Sequence, residues 1–235
     1  KSDREQYVGF DVTLANYIAD ELGLTLEIKP MDFNACQTAV QLGTVDMSIS
    51  GFSWTAEREE KFGISDYYIA GDNETEQVVI STADKAGTMT TADAFKGLKV
   101  GAQAASLQEL LCNQELVPAG AAEIVLFKDI NDGVLALQTG KIDALAVADG
   151  NADAIMVNNP DVAKTGFQFD VDPKYENNVI LLNKADTEML TKVNELLGKA
   201  MAADLYTGWY EDAKALAGIE TAAEVSYDEE GNVAG

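Results

Sequence analysis

The chain of 235 residues contains no histidine, and this absence removes several kinds of chemistry. Neither a Ser-His-Asp nor a Cys-His nucleophile system can form without an imidazole, and zinc sites with histidine ligands are excluded for the same reason. The two cysteines, Cys36 and Cys112, are too few for a disulfide framework. Cys36 lies in an apolar helical pattern and is interpreted as a small core residue. We expect no catalytic residue, no metal and no cofactor.

Positive charge is scarce in this chain. Sixteen lysine and arginine residues stand against 40 aspartate and glutamate residues, which gives a formal net charge of −24 and a pI near 4.1. Nucleic acid and anionic membrane surfaces both require a basic protein face, so neither is expected as a partner. The same negative field repels anionic ligands at long range. Any site for an anion must therefore depend on local groups.

Long hydrophobic runs are also missing. No stretch of about 18 apolar residues occurs, so the sequence predicts no membrane-spanning helix, and no signal peptide opens the chain. The chain is expected to be either cytosolic or a mature exported form whose leader has been removed. Its hydrophobic content of 47% and its length suit one large domain or two smaller lobes, each with a core.

Helical and extended patterns alternate in the first part of the chain. Apolar residues at helical spacing predict a helix that has Asp11 as its N-cap and ends at Gly23. The stretch LTLEIKPM alternates like a strand. A helix is predicted from about Asn34 to Leu42, and the strand VDMSISGF follows it. This order predicts a parallel sheet with helices on its faces.

The same pattern returns later in the chain. The segment AVQLGTVDMSI from Ala39 aligns without a gap with ALQTGKIDALA from Ala136, so that Gly43 meets Gly140. We infer two similar α/β lobes, each a mostly parallel sheet flanked by helices.

The ends of the two matching strands indicate where a ligand binds, because ligands of open parallel sheets lie beyond the carboxyl ends of the strands. The strand that ends near Ser53 is followed by Arg58, one of only two arginines, in the first turn of an acidic helix. A cation there opposes the helix dipole. The matching strand ends near Asp149. If the lobes face each other, a cation and an anion meet across one cleft, which is complementary to an amino-acid zwitterion.

Two apolar extended segments, EQVVIST and NNVILLN, are predicted to cross between the lobes. With two crossings, the first lobe contains both chain ends, residues 1–80 and 182–235, and the second contains residues 81–181. A hinge of two strands permits closure around a ligand.

Three motifs resemble the polar amino-acid branch of the extracytoplasmic solute-binding proteins of ABC importers. YVGFDVTLANYIADELG is similar to the opening G-F-D helix of that family, and SDYYIAG resembles the segment before its first crossover. MDFNACQTAVQLGTVDMSISGFSWTAERE resembles its central signature, S-G-x-[ST]-x-T-x-E-R. The likeness spans nearly the whole chain and implies a two-crossover (type II) fold. It also implies binding of a free amino acid in the interlobe cleft and delivery to the membrane permease of an ABC importer.

The resemblance implies roles for four residues of the first lobe. Arg58 would bind the ligand α-carboxylate through its guanidinium fork, assisted by the hydroxyl and backbone of Ser53. The carbonyl of Gly51 would accept a hydrogen bond from the α-ammonium. Phe33 would stack on the ligand side chain. Two alternatives stay open from the residues themselves: a surface ion pair for Arg58, and a plain core position for Phe33.

In the second lobe, the stretch VGAQAASLQE resembles the family's V-G-x-x-x-G-[ST] loop. Ser106 would then donate to the carboxylate at a helix N-terminus, Gln103 would point toward the ligand side chain, and Asp149 would hold the ammonium. Three departures accompany these roles. Ala105 replaces the usual glycine, Ser106 also fits an ordinary capping box, and Asp149 comes one residue later than the family spacing, which selects Ala148 instead.

The family begins with a strand and an aromatic-bearing loop before G-F-D, whereas this chain reaches that motif almost at Lys1. We therefore expect the first lobe to lack its usual first strand. The tail EVSYDEEGNVAG loosely resembles the segment that normally precedes G-F-D, so truncation and rearrangement are both considered.

Two other functions are kept as alternatives. One is an enzyme on the same fold, such as a cyclohexadienyl-dehydratase-like lyase, and the other is a ligand-sensing receptor module. The neighbourhood of Phe33 and Trp54 favours a neutral polar or aromatic amino acid as ligand. The resemblance implies a monomer located outside the cytoplasm, in the periplasm or at the cell surface as a lipid-anchored protein.

Overall fold

The computed structural model describes residues 7–69, 76–175 and 177–219. The strands in these ranges are β1 (Met47–Ser53), β2 (Phe62–Ile64), β3 (Gln77–Thr82), β4 (Lys99–Gln103), β5 (Glu123–Phe127), β6 (Ala144–Ala148), β7 (Val162–Gln168) and β8 (Asn178–Asn183). The helices are α1 (Phe10–Leu22), α2 (Phe33–Gln41), α3 (Ala56–Lys61), α4 (Ala83–Ala86), α5 (Leu107–Leu111), α6 (Ile130–Gln138), α7 (Asp149–Asn158), α8 (Thr187–Ala202) and α9 (Leu205–Ala217). Within these ranges, no helix combines the length and the apolarity needed to cross a membrane.

The strands form two separate sheets. The first has the order β1-β8-β2 with both pairs antiparallel, and the second has the order β5-β4-β6-β3-β7. In the second sheet β4 runs parallel to β5 and β6, while β3 runs antiparallel to β6 and β7. The predicted α/β class with two lobes is confirmed. The pairing is more mixed than the mostly parallel sheets that we expected, because β3 and β8, the two predicted crossing segments, oppose their neighbours.

The two crossing strands are apolar on both faces. In β8, Ile180 and Leu182 pack with α1 and α8, whereas Val179 and Leu181 face α2 on the other side of the sheet. Such strands read as continuous apolar runs in the sequence because both faces are buried. The division into residues 1–80 with 182–235 and residues 81–181 stays a proposal. Both of its boundaries fall inside a strand, since β3 pairs within the second sheet and β8 within the first.

The strand predicted for LTLEIKPM is wrong. Residues 24–31 form no strand in the described part of the chain, and Leu24 at its start is 52% exposed. Alternation gives a segment one inward face, but a strand also needs a hydrogen-bonded neighbour, and β1 pairs only with β8 among the described strands. The tail EVSYDEEGNVAG and the end of SDYYIAG lie outside the described residues, so the question of rearrangement is not addressed by the fold.

The N-cap predicted for the first helix is also wrong. Helix α1 ends before Gly23, which has a left-handed φ of 68°, as expected, but its N-cap is Gly9 and makes no side-chain capping bond. Asp11 lies instead in the first turn, and its carboxylate accepts a hydrogen bond from the Tyr68 hydroxyl at 3.1 Å. The Asp11 side chain, which the local sequence predicted to cap the helix, is therefore hydrogen-bonded to Tyr68, a residue far along the chain.

Candidate functional site

A cavity of about 600 Å³ opens between the two sheets. Phe33, Gly51 and Arg58 line it from the first sheet and its helices, and Gln103 and Leu107 line it from the second. A volume of this size is typical of small-molecule sites. The site therefore joins the two halves of the molecule, and a ligand in it contacts both.

Arg58 is positioned by the start of α3. The hydroxyl of Thr55, the N-cap, accepts a hydrogen bond from the Arg58 N–H at 3.1 Å, and the side chain then turns inward until the residue is only 5% exposed. Its Nη1 donates to the Ser53 carbonyl and its Nη2 to the Ala105 carbonyl, both at 2.7 Å. Since Ala105 lies in the loop after β4, the guanidinium bridges the two lobes.

Within the described ranges, Arg58 forms no ion pair with a carboxylate, and Glu57 interacts with it only through its charge. The ion pairs found among the described residues do not include Arg58, and Glu57, its neighbour on α3, pairs with Lys61 at 2.6 Å. The alternative of a surface ion pair is therefore not what the structure shows. The guanidinium carbon lies 5.7 Å from the ring centroid of Phe33 and 5.2 Å from that of Phe52. Burial lowers the pKa of Arg58 to about 10, so the cation persists at neutral pH and offers an anion a strong partner.

Gly51 lies at an irregularity of β1. The register of β1 against β8 shifts between Ser48 and Phe52, and Gly51 within that interval has a φ of 59°, a left-handed conformation that favours glycine. Its N–H lies 3.4 Å from the hydroxyl of Tyr68. This kink exposes backbone polar groups to the cavity at the end of the strand.

Asp11 is a cavity residue that sequence reasoning missed. It lines the cavity beside Gly51, and burial raises the pKa of its carboxyl to about 6, although hydrogen bonds from Tyr68 and from the Gly51 N–H act in the opposite direction. The G-F-D motif carried a signal, since Gly9 can itself occupy the N-cap position. Because Asp11 was interpreted as an N-cap, its carboxylate was not considered as a residue of the cavity.

Gln103 ends β4 and lines the cavity, where its Nε2 donates to the carbonyl of Lys128 at 3.2 Å. Ser106 follows as the N-cap of α5, and its hydroxyl donates to the Gln103 carbonyl at 2.6 Å and accepts from the Glu109 N–H at 3.2 Å. The capping role of Ser106 is thus present in the structure. Its side chain is not among the lining groups, whereas Leu107, the next residue, is.

Asp149 begins α7 and is not among the residues that line the cavity. Its carboxylate lies 2.6 Å from Nζ of Lys164, a lysine that also contacts Asp153 at 2.7 Å. Burial opposes the charge of Lys164, but its hydrogen bonds to the two aspartates prevail and raise its pKa. The cavity is lined by the residues on either side of Asp149, Ala148 and Gly150.

The structure therefore brings most of the predicted residues together. Those that line the cavity are Phe33, Gly51, Ser53, Arg58 and Gln103. Ser106 and Asp149 lie within one position of lining residues, with side chains engaged elsewhere. The individual ligand roles of all seven stay predictions. Trp54 lines a different hollow together with Tyr67 and Met201. No group of three or more acidic or cysteine side chains suited to a metal ion is found in the described ranges.

A small-molecule cavity between two α/β sheets, with a buried cation in its wall, is typical of the class of two-lobed solute-binding proteins. The chain belongs to the bacterial extracellular solute-binding proteins, family 3, because the model of that family matches residues 1–212. The likeness recognised in the sequence motifs is thereby confirmed.

Relatives and solved structures agree with this assignment. The arginine-binding extracellular protein ArtP of Bacillus subtilis is 30% identical over 193 residues, which cover 82% of this chain and 72% of the relative. The amino acid ABC transporter substrate-binding protein AbpA of Streptococcus pneumoniae, bound to L-arginine, superposes with a TM-score of 0.81 at 29% identity, covering 91% of this chain and 86% of that one. An ancestral arginine-binding protein bound to arginine gives a TM-score of 0.78 at 30% identity over 90% of each chain.

Proposed function

We propose that this protein binds one amino acid as a zwitterion in the cavity between its lobes and delivers it to the permease of an ABC importer. The observation that carries the proposal is the buried guanidinium of Arg58, which lies in the cavity wall and forms no ion pair with any carboxylate of the described residues. Its two terminal nitrogens donate to carbonyls of Ser53 and Ala105, and a carboxylate accepts the same donors more strongly because it is charged. The ligand-bound structures of related amino-acid-binding proteins support the same role.

The ligand side chain needs a different proposal from the one that the sequence suggested. Relatives are named for binding arginine, histidine or cystine, so the comparisons do not single out neutral polar or aromatic ligands. The residues that line the cavity include Asp11, Asp32 and Asp129 as well as Arg58, Lys128 and Lys214, and the net charge of −24 attracts cations at long range. We propose L-arginine as the first ligand to test. L-Glutamine is the second, because an ancestral arginine-binding protein with 29% identity has been solved with glutamine bound.

A thermal-shift screen of the twenty amino acids tests the function. Binding stabilises the folded state by RT ln(1 + [L]/Kd), about 2.7 kcal/mol at a ligand concentration of 100 Kd. We expect one class of amino acid to raise the melting temperature and Arg58→Ala to abolish the rise. Lys61→Ala, which removes an exposed cation from the same helix, should leave the rise intact. A rise of equal size in Arg58→Ala would contradict the role of Arg58.

The lyase alternative keeps one supporting observation. A carboxyl group with a pKa near 6 in a cavity suits general acid–base catalysis, and Asp11 has such a pKa. The named relatives are binding proteins, which favours the non-enzymatic function. Incubation with prephenate or arogenate, followed by chromatography, separates the two, since amino-acid binding without conversion of either compound supports a transport function.

A further inference from the structure

An aromatic contact outside the cavity links the two lobes. Trp54 follows β1 and packs against the core cluster of the first lobe that contains Phe52. Tyr175 follows β7 and packs against the core cluster of the second lobe that contains Phe167. The centroids of the two rings lie 6.5 Å apart and their planes form an angle of 27°, a stacked geometry in the range in which aromatic pairs attract each other. Each ring is part of a different lobe, so the pair joins the lobes through side chains.

The pair of Trp54 and Tyr175 lies apart from the ligand cavity. Neither residue is found among the described residues that line the cavity, and Trp54 instead lines a hollow of about 430 Å³ together with Ile64 and Tyr67 of the first lobe. A ligand in the cavity therefore does not touch the two rings. Any effect of these side chains on ligand binding has to act through the relative position of the lobes.

One short segment of the first lobe makes two contacts with the second. Trp54 stacks on Tyr175, and four residues later Nη2 of Arg58 donates to the Ala105 carbonyl at 2.7 Å. Thr55, between them, is the N-cap of α3 and accepts a hydrogen bond from the Arg58 N–H at 3.1 Å. The positions of Trp54 and Arg58 are therefore coupled through the backbone. We call the arrangement in which both contacts are formed the closed arrangement.

The ring of Tyr175 is held by its own turn. Residues Pro173–Tyr175 form a short 3-10 turn, and the Tyr175 N–H donates to the Asp172 carbonyl at 2.8 Å. Nζ of Lys174 lies 4.8 Å from the centroid of the Tyr175 ring and 2.7 Å from the Asp172 carboxylate. A ring that is already ordered loses little conformational freedom when it meets Trp54. Most of the stacking energy is thus left to stabilise the contact between the lobes.

We propose that Trp54 and Tyr175 form a latch that stabilises the closed arrangement of the lobes independently of the ligand. The consequence of the latch for ligand binding rests on the proposed function, whereas its effect on the lobes does not. An aromatic pair shifts an equilibrium roughly twofold to tenfold. The latch retains a ligand after its entry, so its loss raises the dissociation rate and leaves the association rate nearly unchanged. Trp54 and Tyr175 are therefore positioning residues and not ligand contacts.

Double electron–electron resonance of the protein without ligand measures the separation of the lobes. Nitroxide labels are attached to Glu188→Cys and Lys141→Cys, two exposed positions, in a background that carries Cys36→Ser. Cys112 is fully buried and is retained. Glu188 follows the end of β8, and Lys141 precedes β6, whose other end pairs with Gln77 at the start of β3. Both labels therefore lie far from the crossing segments, where opening changes distances most.

We expect Trp54→Ala and Tyr175→Ala each to shift the distances between the labels to longer values. The double variant should match the single variants, because the same contact is removed in all three. Trp54→Phe keeps a ring that can stack on Tyr175 and should restore the wild-type distances. Tyr67→Ala is the matched control, since Tyr67 lines the same hollow from the first lobe, and it should change nothing. Unchanged distances in both single alanine variants would overturn the inference.

Stopped-flow kinetics with the amino acid identified in the thermal-shift screen tests the consequence for binding. Trp54→Ala should raise the dissociation rate roughly twofold to tenfold and leave the association rate within about twofold of the wild type. Additive effects of Trp54→Ala and Tyr175→Ala on the dissociation rate would show that the rings act separately, and would overturn the latch. If the wild type binds none of the twenty amino acids, the proposed function fails, while the label distances still decide whether the latch exists.

Discussion

At the scale of single residues, the cavity wall contains two charged groups of the same lobe that are partly removed from water. Arg58 is almost fully buried beside two phenylalanine rings, and Asp11 is half-buried against the hydroxyl of Tyr68. Burial disfavours the charged form of both, so it lowers the pKa of Arg58 and raises that of Asp11.

The raised pKa of Asp11 predicts a cost to the ligand-free protein. The folded carboxyl titrates near 6 and the unfolded one near 3.8, so the folded state binds more protons between these values and stability falls as pH rises through them. Asp11→Asn removes this charge while retaining an oxygen for Tyr68. Without ligand we expect the variant to be more stable than the wild type by about 1–2 kcal/mol at pH 7.5, with the difference disappearing below pH 4.

Urea unfolding of both proteins at several pH values measures this difference. A variant that is less stable than the wild type at pH 7.5 would show that the Asp11 carboxylate stabilises the fold. The buried charge of Asp11 would then not destabilise the ligand-free protein.

At the scale of elements, the helices of the second lobe pack on their sheet through glycine. A Cβ atom added to Gly133 of α6 would lie 2.8 Å from Cδ1 of Leu145, and one added to Gly101 of β4 would lie 2.7 Å from Cδ1 of Ile142. Leu145 is 1% exposed and lies on β6, the strand whose end reaches the cavity. The distance between α6 and the sheet therefore depends on the missing side chain of Gly133.

Replacing Gly133 by alanine should destabilise the protein by about 1–3 kcal/mol. The overpacking against Leu145 exceeds the gain of about 1 kcal/mol that alanine brings to a helix interior. Gly198 of α8 provides the matched control, because an added Cβ meets no atom within 4 Å there. Gly198→Ala should stabilise the protein by up to about 1 kcal/mol. Thermal unfolding by circular dichroism distinguishes the two, and stabilisation of both variants would contradict the close packing.

The helices and strands of this protein differ in how well the sequence predicts them. Helices α1 and α2 and the crossing strands β3 and β8 follow from periodicity and from end signals such as Gly23, because these features act within a few residues. The segment 24–31 has the alternation of a strand but not the neighbour that a strand requires. Pairing between distant segments is not encoded in local pattern.

At the scale of the whole molecule, the net charge affects how fast a charged ligand reaches the protein, whereas groups inside the cavity affect how tightly it binds. The net charge of −24 attracts a cationic solute from a distance, whereas a single buried group such as Arg58 acts only at short range. The molecule therefore presents an electrostatic preference before any pocket contact forms.

Stopped-flow fluorescence tests this preference. We expect the association rate of L-arginine to fall several-fold between about 10 mM and 500 mM NaCl, as the Debye length shortens from about 30 Å to below 5 Å. The association rate of L-glutamine, which carries no net charge, should change little. Equal salt dependence for the two ligands would show that the overall field does not steer binding.

The sequence by itself determined the α/β class, the two lobes, the family and a place for Arg58 in the cavity wall, while the ligand role of Arg58 stays a prediction. Each depends on residues that are close together in the chain or on a motif read as a unit. Only the tertiary structure decided that Asp149 pairs with Lys164, that Asp11 turns to Tyr68 across 57 positions, and that residues 24–31 pair with no described strand. These outcomes depend on which distant side chains folding brings within hydrogen-bonding distance, and a carboxylate takes the nearest strong donor wherever that donor lies in the sequence.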